Sequence, residues 1–266
     1  MLTAVSYLGA VGLGVTSPQL FRADDGKIYV VKLKNNRLGT KVLVNELLAC
    51  SFGSLMGLCF PPGGAIMITG ELLATTRKLR AARVEPGLHF ASQYISSTRY
   101  VVRTNLRKVD NKAQMAGVML FDHMFHNLDR TWNRRNLIIR RVDNKSEIYA
   151  IDNSHLFKKG RWTVNWLTKL EPKIIMNYRR AYGWLLKYYL TAEDFKGYIT
   201  KVEAITDNEI EELVDAIPAE WLSDEKERQA LVHYITARRN MIEEIARPFL
   251  TLLPDVDRGA EVDKSE

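Results

Sequence analysis

The sequence predicts an α+β fold in two parts: a strand-rich first third and a mainly helical remainder. Before about residue 96, apolar residues alternate in short runs bounded by Gly, Pro, Asn and Asp, the period of half-buried strands. Beyond about residue 162 they recur every three or four positions, the period of amphipathic helices. The composition agrees with a globular core built without staples. Of 266 residues, 46% are hydrophobic and 26% charged, both ordinary for such a chain.

The elements follow in order. AVSYLGAVGLGVTSPQLFRA (4–23) reads as strand, glycine-rich turn and strand, and KIYVVKLKNN (27–36) as a further strand. KVLVNELLACSFGSLMGL (41–58) reads as a helix ended by Pro61 and Pro62, which cannot continue it. GGAIMITG (63–70) is a short strand, 71–87 a basic helical or irregular insert, and HFASQYIS (89–96) another strand. NKAQMAGVMLFDHMFHNL (111–128) is helical. NLIIRRVDNKSEIYAID (136–152) is a hairpin turning at Asp143, Asn144 and Lys145. KIIMNYRRAYGWLLKYYL (173–190) has helical spacing, and Trp162, Trp166, Tyr178, Trp184, Tyr188 and Tyr189 are expected in the helical core. Thr191 with Asp194, and Thr206 with Glu209, have the spacing of capping boxes. Residues 224–246 form a long amphipathic helix stopped near Pro248. The expected units are 1–96, 97–253 and a polar, disordered tail, 254–266.

The formal charge is +7, which favours anionic partners: nucleotide, nucleic acid or acidic protein. No apolar run reaches the roughly 18 residues a membrane-spanning helix needs. The apolar opening lacks the basic start of a secretory signal. Cys50 and Cys59 fall in or just after an apolar helical stretch and read as buried thiols, in keeping with a cytoplasmic protein.

The chemistry concentrates in HNLDRTWNRRNLII (126–139) and YAIDNS (149–154). Asn136 and Asp152 offer an amide oxygen and a carboxylate, the hard donors that magnesium takes together with phosphate. They stand at the two ends of the hairpin, so antiparallel pairing brings them to one edge, beside Asp129. Asp129 can orient an attacking hydroxyl. Lys32, on a strand, has in Glu46 an acid at the right spacing to fix its rotamer. Gly12 and Gly14 allow backbone N–H groups close to phosphate, and Thr16 and Ser17 add hydroxyl donors. This is the equipment of phosphoryl transfer, in which positioning and charge neutralisation do most of the catalysis. His123 and His126 share a helix face but lack the partners of a zinc set, and read as structural. Arg130 either neutralises phosphate or pairs with an acid to hold its loop.

The ordered set of Gly-rich loop, YVVK, NE, N-x-DR…N-L-I-I and IDNS resembles the HipA-like serine/threonine kinases, distant relatives of protein kinases and phosphatidylinositol kinases. The resemblance spans residues 4–160 and runs more loosely to about 250. It implies a two-lobed protein-kinase-like fold, with a strand-rich small lobe and a mainly helical large lobe binding ATP and Mg2+ between them. Lys32 then contacts ATP phosphates and pairs with Glu46. Asp129 is the catalytic acid, and Asn136 and Asp152 are the metal ligands. The hinge at Tyr94 and Ile95 touches adenine, and the acceptor is Ser or Thr of a protein.

The chain departs from the family pattern in three places. The family's metal-binding Asn follows the catalytic Asp after four residues, where this chain has Arg134. Asn stands instead at 133 and 136, and Asn136 is preferred because Leu137, Ile138 and Ile139 follow it as the next strand. The large segment that precedes the Gly-rich loop in HipA toxins has no counterpart in this sequence, so a HipB-like partner is not carried over. Val11, Gly12 and Leu13 occupy the place of the toxins' self-phosphorylated serine. Two rival readings stand beside the kinase: a non-catalytic nucleotide-binding regulator, suggested by the shifted Asn, and a nucleic-acid-binding protein using the basic surface.

Overall fold

Alternation in the first third becomes five strands in the computed structural model, which describes residues 1–12 and 16–254, with Arg134 in its backbone alone. β1 (Leu2–Ala10), β2 (Gln19–Ala23), β3 (Ile28–Lys32), β4 (Gly63–Ile68) and β5 (Gly87–Gln93) close into a barrel in the order β1-β2-β3-β5-β4. Four of the five pairings have antiparallel neighbours along β2, β3 and β5, and the parallel pair β1–β4 shuts the barrel at Leu2↔Ile66 and Thr3↔Met67. β1 slips register between Ala4 and Ser6 and again between Tyr7 and Gly9. Such bulges bend and twist a strand, which suits one that must reach both neighbours. Gly14 and residues 255–266, nearly all of the tail expected to be disordered, lie outside the described residues.

α1 (Lys41–Met56) is buried along most of its length, with Ser54 and Leu55 exposed near its end. Its side chains do not fill the barrel, whose interior is a small cluster around Phe21, Val31, Ile66, Ile68 and Ala91. Leu43, Leu47, Leu48 and Phe52 belong instead to the large cluster shared with the helical part of the chain. α1 ends at Gly57, whose φ of 68° lets its N–H turn back to the carbonyls of Gly53 and Ser54. That left-handed conformation costs glycine little. The stop therefore precedes Pro61 and Pro62, which were expected to impose it. The basic insert forms two short helices, α2 (Gly70–Thr75) and α3 (Arg77–Ala81).

Tyr94 to Ser97 carry the chain out of the barrel into β6 (Thr98–Tyr100). After α4 (Arg103–Leu106), α5 (Gln114–Met124) and α6 (Asp129–Trp132), the expected hairpin appears as β7 (Leu137–Val142) and β8 (Lys145–Ala150). With β6 it makes a three-stranded sheet in the order β6-β7-β8. The remainder is helical: α7 (Val164–Leu170), α8 (Ala181–Tyr188), α9 (Ala192–Glu203), α10 (Asp207–Asp215), α11 (Glu225–Asn240) and α12 (Ile242–Leu252). Thr191 with Asp194 and Thr206 with Glu209 form both halves of their capping boxes, opening α9 and α10.

Two helices differ from their sequence pattern. The first, expected over 173–190, begins only at Ala181. The backbone before it is committed elsewhere: the Lys173 carbonyl accepts from His126 and Arg238, and the Asn177 N–H donates to His123. Arg180, at φ 57°, separates this stretch from α8. The second was expected to stop near Pro248, but breaks at Met241 and resumes through the proline. Burial offsets the missing N–H donor, since Phe249 is fully buried and stacks on Phe195 at 5.5 Å. Of the aromatics expected in the core, Trp162 is buried and Trp166, Trp184 and Tyr189 half-buried, while Tyr178 and Tyr188 are exposed. Among the described residues, no helix is long and apolar enough to cross a membrane.

Candidate active site

Lys32 closes β3 with its side chain turned inward, where Glu46 of α1 and the segment after β8 meet it. Its ammonium is ion-paired to Glu46, lies 2.7 Å from Asp152 Oδ1 and 2.6 Å from Ser154 Oγ. Residues 120 positions apart are thus in direct contact. The Ser154 hydroxyl sits 2.7 Å from Asp152 Oδ1 and 3.0 Å from Glu46 Oε1. It accepts from the ammonium and gives its one proton to a carboxylate. The Asn153 N–H also donates to Glu46 Oε1, at 3.0 Å. Burial alone would depress the Lys32 pKa, but the carboxylates of Asp152 and Glu46 more than offset it and the pKa ends raised. For Asp152 burial opposes ionisation, yet the Lys32 ammonium and the hydrogen bonds from Lys32 and Ser154 hold its carboxyl well below the usual carboxylate range. Asp152 itself has φ 60°, a left-handed conformation uncommon for a residue with a Cβ.

Asp129 opens α6, and Asn136 precedes β7. The Asn136 amide donates to Asp129 Oδ2 at 2.7 Å. Asn133 stands one step out. Its amide donates to Asn136 Oδ1 at 3.0 Å, while its own oxygen caps the turn by accepting from the Arg135 N–H at 3.1 Å. The pairing argued from the hairpin holds, since the Ile151 N–H donates to the Asn136 carbonyl at 2.9 Å, which sets Asp152 beside Asn136. His155 Nδ1 approaches Asp129 Oδ2 to 3.9 Å and has no hydrogen-bond partner among the described residues.

Arg130 resolves the choice left open for it: it is buried and holds the loop. Its Nε donates to Asp122 of α5 at 2.8 Å. Its other nitrogens reach the carbonyls of Ile151 at 2.6 Å and Asn136 at 3.2 Å, and Asn153 Oδ1. One guanidinium therefore ties the Asp129–Asn136 loop to the Asp152 segment. Asp122 also accepts from Tyr182 and, at 3.1 Å, from Asn127. His123 and His126 are buried with hydrogen-bonded rings, and burial lowers their pKa values to about 4 and about 3.

The remaining candidates lie on two neighbouring segments. Gly12 (φ 81°) and Ser17 (φ 48°) are exposed in the β1–β2 loop, and Thr16 is buried there. The Val11 N–H to the Pro18 carbonyl, 2.9 Å, closes the base of this loop. Tyr94 continues β5, its N–H on the Ile28 carbonyl at 2.8 Å, and its ring is exposed while Ile95 is half-buried. Among the described residues, no hydrogen bond joins either segment to the Lys32 or Asp129 groups.

Asn45 was in view within the NE motif, without a role. It is fully buried and fully bonded: its amide reaches the carbonyls of Ser154 and Gly160, both at 2.9 Å, and its oxygen accepts from Trp162 Nε1 at 3.0 Å. Gly160 is obligatory at the other end, because a Cβ there would meet the Ser154 carbonyl oxygen at 2.3 Å and its φ is 73°. Ser154 was in view within IDNS, without a role. Asp122 and Tyr182 left no local signal.

Among the described residues, no three His, Cys, Asp or Glu side chains gather to hold a metal by themselves. Asp152 and Asn136 supply two hard donors, so a divalent cation there needs phosphate oxygens and water to complete its shell. A buried lysine between two acids, with a second acid–amide pair alongside, can hold phosphate, cation and an attacking hydroxyl together.

Comparison with known proteins shows the fold and the family. The chain resembles the crystal structure of the Helicobacter pylori proinflammatory kinase CtkA at a TM-score of 0.60 and 13% identity, over 92% of this chain and 96% of that one. It also resembles the Golgi casein kinase with Mn and ADP bound, at a TM-score of 0.53 and 12% identity, over 97% of this chain and 75% of that one. These likenesses show a shared two-lobed kinase fold. No curated protein matched the sequence. The model of the HipA-like kinase family matches residues 5–248, nearly the whole chain, and with the fold in accord the protein is a kinase belonging to that family.

Proposed function

We propose that this kinase moves the γ-phosphoryl group of ATP, with magnesium, to a Ser or Thr hydroxyl of a protein. The observation that carries the reading is the contact of Lys32 with Glu46 and Asp152, beside the Asp129–Asn136 pair. Lys32 holds phosphate oxygens, with Glu46 and Ser154 fixing its rotamer. Asp152 and Asn136 take the cation. Magnesium, when bound, neutralises charge developing on the phosphates and fixes their geometry. The β1–β2 loop, with Gly12, Gly14, Thr16 and Ser17, covers the phosphates with N–H and hydroxyl donors. Tyr94 and Ile95, where the chain leaves the barrel, border adenine. Asp129 accepts the proton of the acceptor hydroxyl as its oxygen bonds to the γ-phosphorus. The bond from phosphorus to the β-phosphate oxygen breaks, and ADP leaves. Unpaired Cys50 and Cys59 suit a reducing compartment such as the cytoplasm.

The test is incubation with γ-labelled ATP and magnesium, with total protein from the host as acceptor pool. Wild type labels Ser or Thr residues. Asp152→Asn and Asp129→Asn, each with an unchanged circular dichroism spectrum, do not. Undiminished labelling by Asp152→Asn refutes the assignment.

A further inference from the structure

The positive charge of this chain is not spread evenly. Residues 98–109, 130–141 and 173–190 carry 13 Lys and Arg and no Asp or Glu. The whole chain is only +7, so everything outside these three segments is net negative. The fold brings the three together. β6 pairs with β7 from Thr98↔Arg140 to Tyr100↔Ile138. The Arg180 guanidinium donates to the Trp132 carbonyl at the end of α6. Arg103 donates to the Tyr188 hydroxyl at 3.3 Å. Between them opens a cavity of about 340 Å³ lined by Val101, Val102, Arg180, Ala181 and Trp184. Arg180, which lines it, thereby links it to α6, the single-turn helix that begins with Asp129.

Arg99, Arg103, Arg135, Arg179 and Arg180 are exposed on these segments, and among the described residues none of them makes an ion pair with an acid. Arg130, inside the same region, has a carboxylate partner in Asp122. An exposed row of guanidiniums without carboxylates attracts an acidic partner. We propose that this face docks an acidic segment of the protein acceptor, seating one apolar side chain in the cavity and delivering the neighbouring hydroxyl to Asp129. The proposal rests on the phosphotransfer reading above and names the class of its substrate.

Two observations favour an acidic peptide over a nucleic acid. The cavity has an apolar floor, Val101 and Trp184, and a volume that admits one or two side chains. Two of the four exposed rings on these segments already carry a cation on a face: Arg179 over Trp132 at 4.5 Å, and Arg103 over Tyr188 at 5.1 Å.

Binding and transfer are measured separately on the full chain. Fluorescence anisotropy without nucleotide compares three labelled probes: a serine peptide with Asp, Glu and one Leu, the same peptide with Gln for each acid, and a single-stranded RNA. The acidic peptide binds at least roughly tenfold more tightly than the neutral one, its affinity falls with salt, and Arg103→Glu with Arg179→Glu removes the preference. Arg103→Gln with Arg179→Gln removes about half of it, guarding against a folding defect. Equal binding of the two peptides, or a preference that survives charge reversal, overturns the proposal. So does RNA that binds more tightly than the acidic peptide and is lost on the same reversal, which assigns the face to nucleic acid. Labelled ATP then supplies the second reading. Charge-dependent peptide binding with no phosphate transfer to any acceptor supports the docking face and refutes the kinase role. Transfer indifferent to flanking acids does the opposite.

Discussion

Replacing Asp122 by alanine tests whether the buried guanidinium of Arg130 depends on its carboxylate. Arg130 is 1% exposed and Asp122 equally so, and Asp122 is its sole ion-pair partner among the described residues. Breaking a buried pair from one side costs about 3–5 kcal/mol, because the surviving charge stays desolvated. Arg130 keeps three neutral acceptors, the carbonyls of Asn136 and Ile151 and the side chain of Asn153, which pulls the figure to the lower end. The Tyr182 hydroxyl loses its acceptor as well, adding about 1 kcal/mol. The sum, about 3–4 kcal/mol, is a large share of the 5–15 kcal/mol typical of whole domains. Urea unfolding reads it as a midpoint lowered by about 1–2 M at an unchanged slope. Asp122→Asn keeps the shape and one acceptor and loses about half as much. The double variant Asp122→Ala with Arg130→Ala loses less than the two singles together, since no charge remains stranded. A midpoint for Asp122→Ala within about 0.2 M of wild type refutes the reasoning.

Two further outcomes follow from the same geometry. Gly160→Ala places a methyl against the Ser154 carbonyl and forces alanine into a left-handed conformation, so it destabilises by about 2 kcal/mol or more and displaces Ser154 from Lys32. Thermal unfolding and phosphate transfer both fall, and an unchanged pair of values contradicts the constraint. His123 has a folded-state pKa of about 4 against 6.5 for the free ring, because burial disfavours its charged form. The unfolded chain binds the extra proton, so this stability is present above pH 6.5 and is lost as pH falls toward 4, by about 3 kcal/mol. Urea midpoints from pH 7.5 to 4 trace that loss, and His123→Gln removes its share of it, while buried His89 and His126, lowered in the same way, keep theirs.

The legible parts of this molecule were those where neighbours in sequence are neighbours in space. The hairpin argument set Asn136 beside Asp152 from spacing alone, and the Ile151–Asn136 bond bears that out. Capping at Thr191 and Thr206 is likewise local chemistry read from four residues. Lys32 and Glu46 were paired by their spacing on a strand and the helix after it, whereas the meeting of Lys32 with Asp152, 120 positions on, was inferred from their order along a family pattern. Asp122 and Tyr182, 60 positions apart, had neither advantage, since nothing near either marks Asp122 as the partner of Arg130 or Tyr182 as the partner of Asp122. Pro248 misled for the complementary reason: a local rule against proline in helices was outweighed by the burial of Phe249, a tertiary effect.

The seat of α1 decides how firmly Glu46 is held. Displacing that helix would strip three bonds from Asn45, sever the tie between Lys41 and Glu227, and bare Leu43, Leu47 and Phe52 to water. Glu46 is consequently held against Lys32, the Asn153 N–H and the Ser154 hydroxyl by contacts that lie along the whole helix, so dislodging it means unseating α1 as a unit.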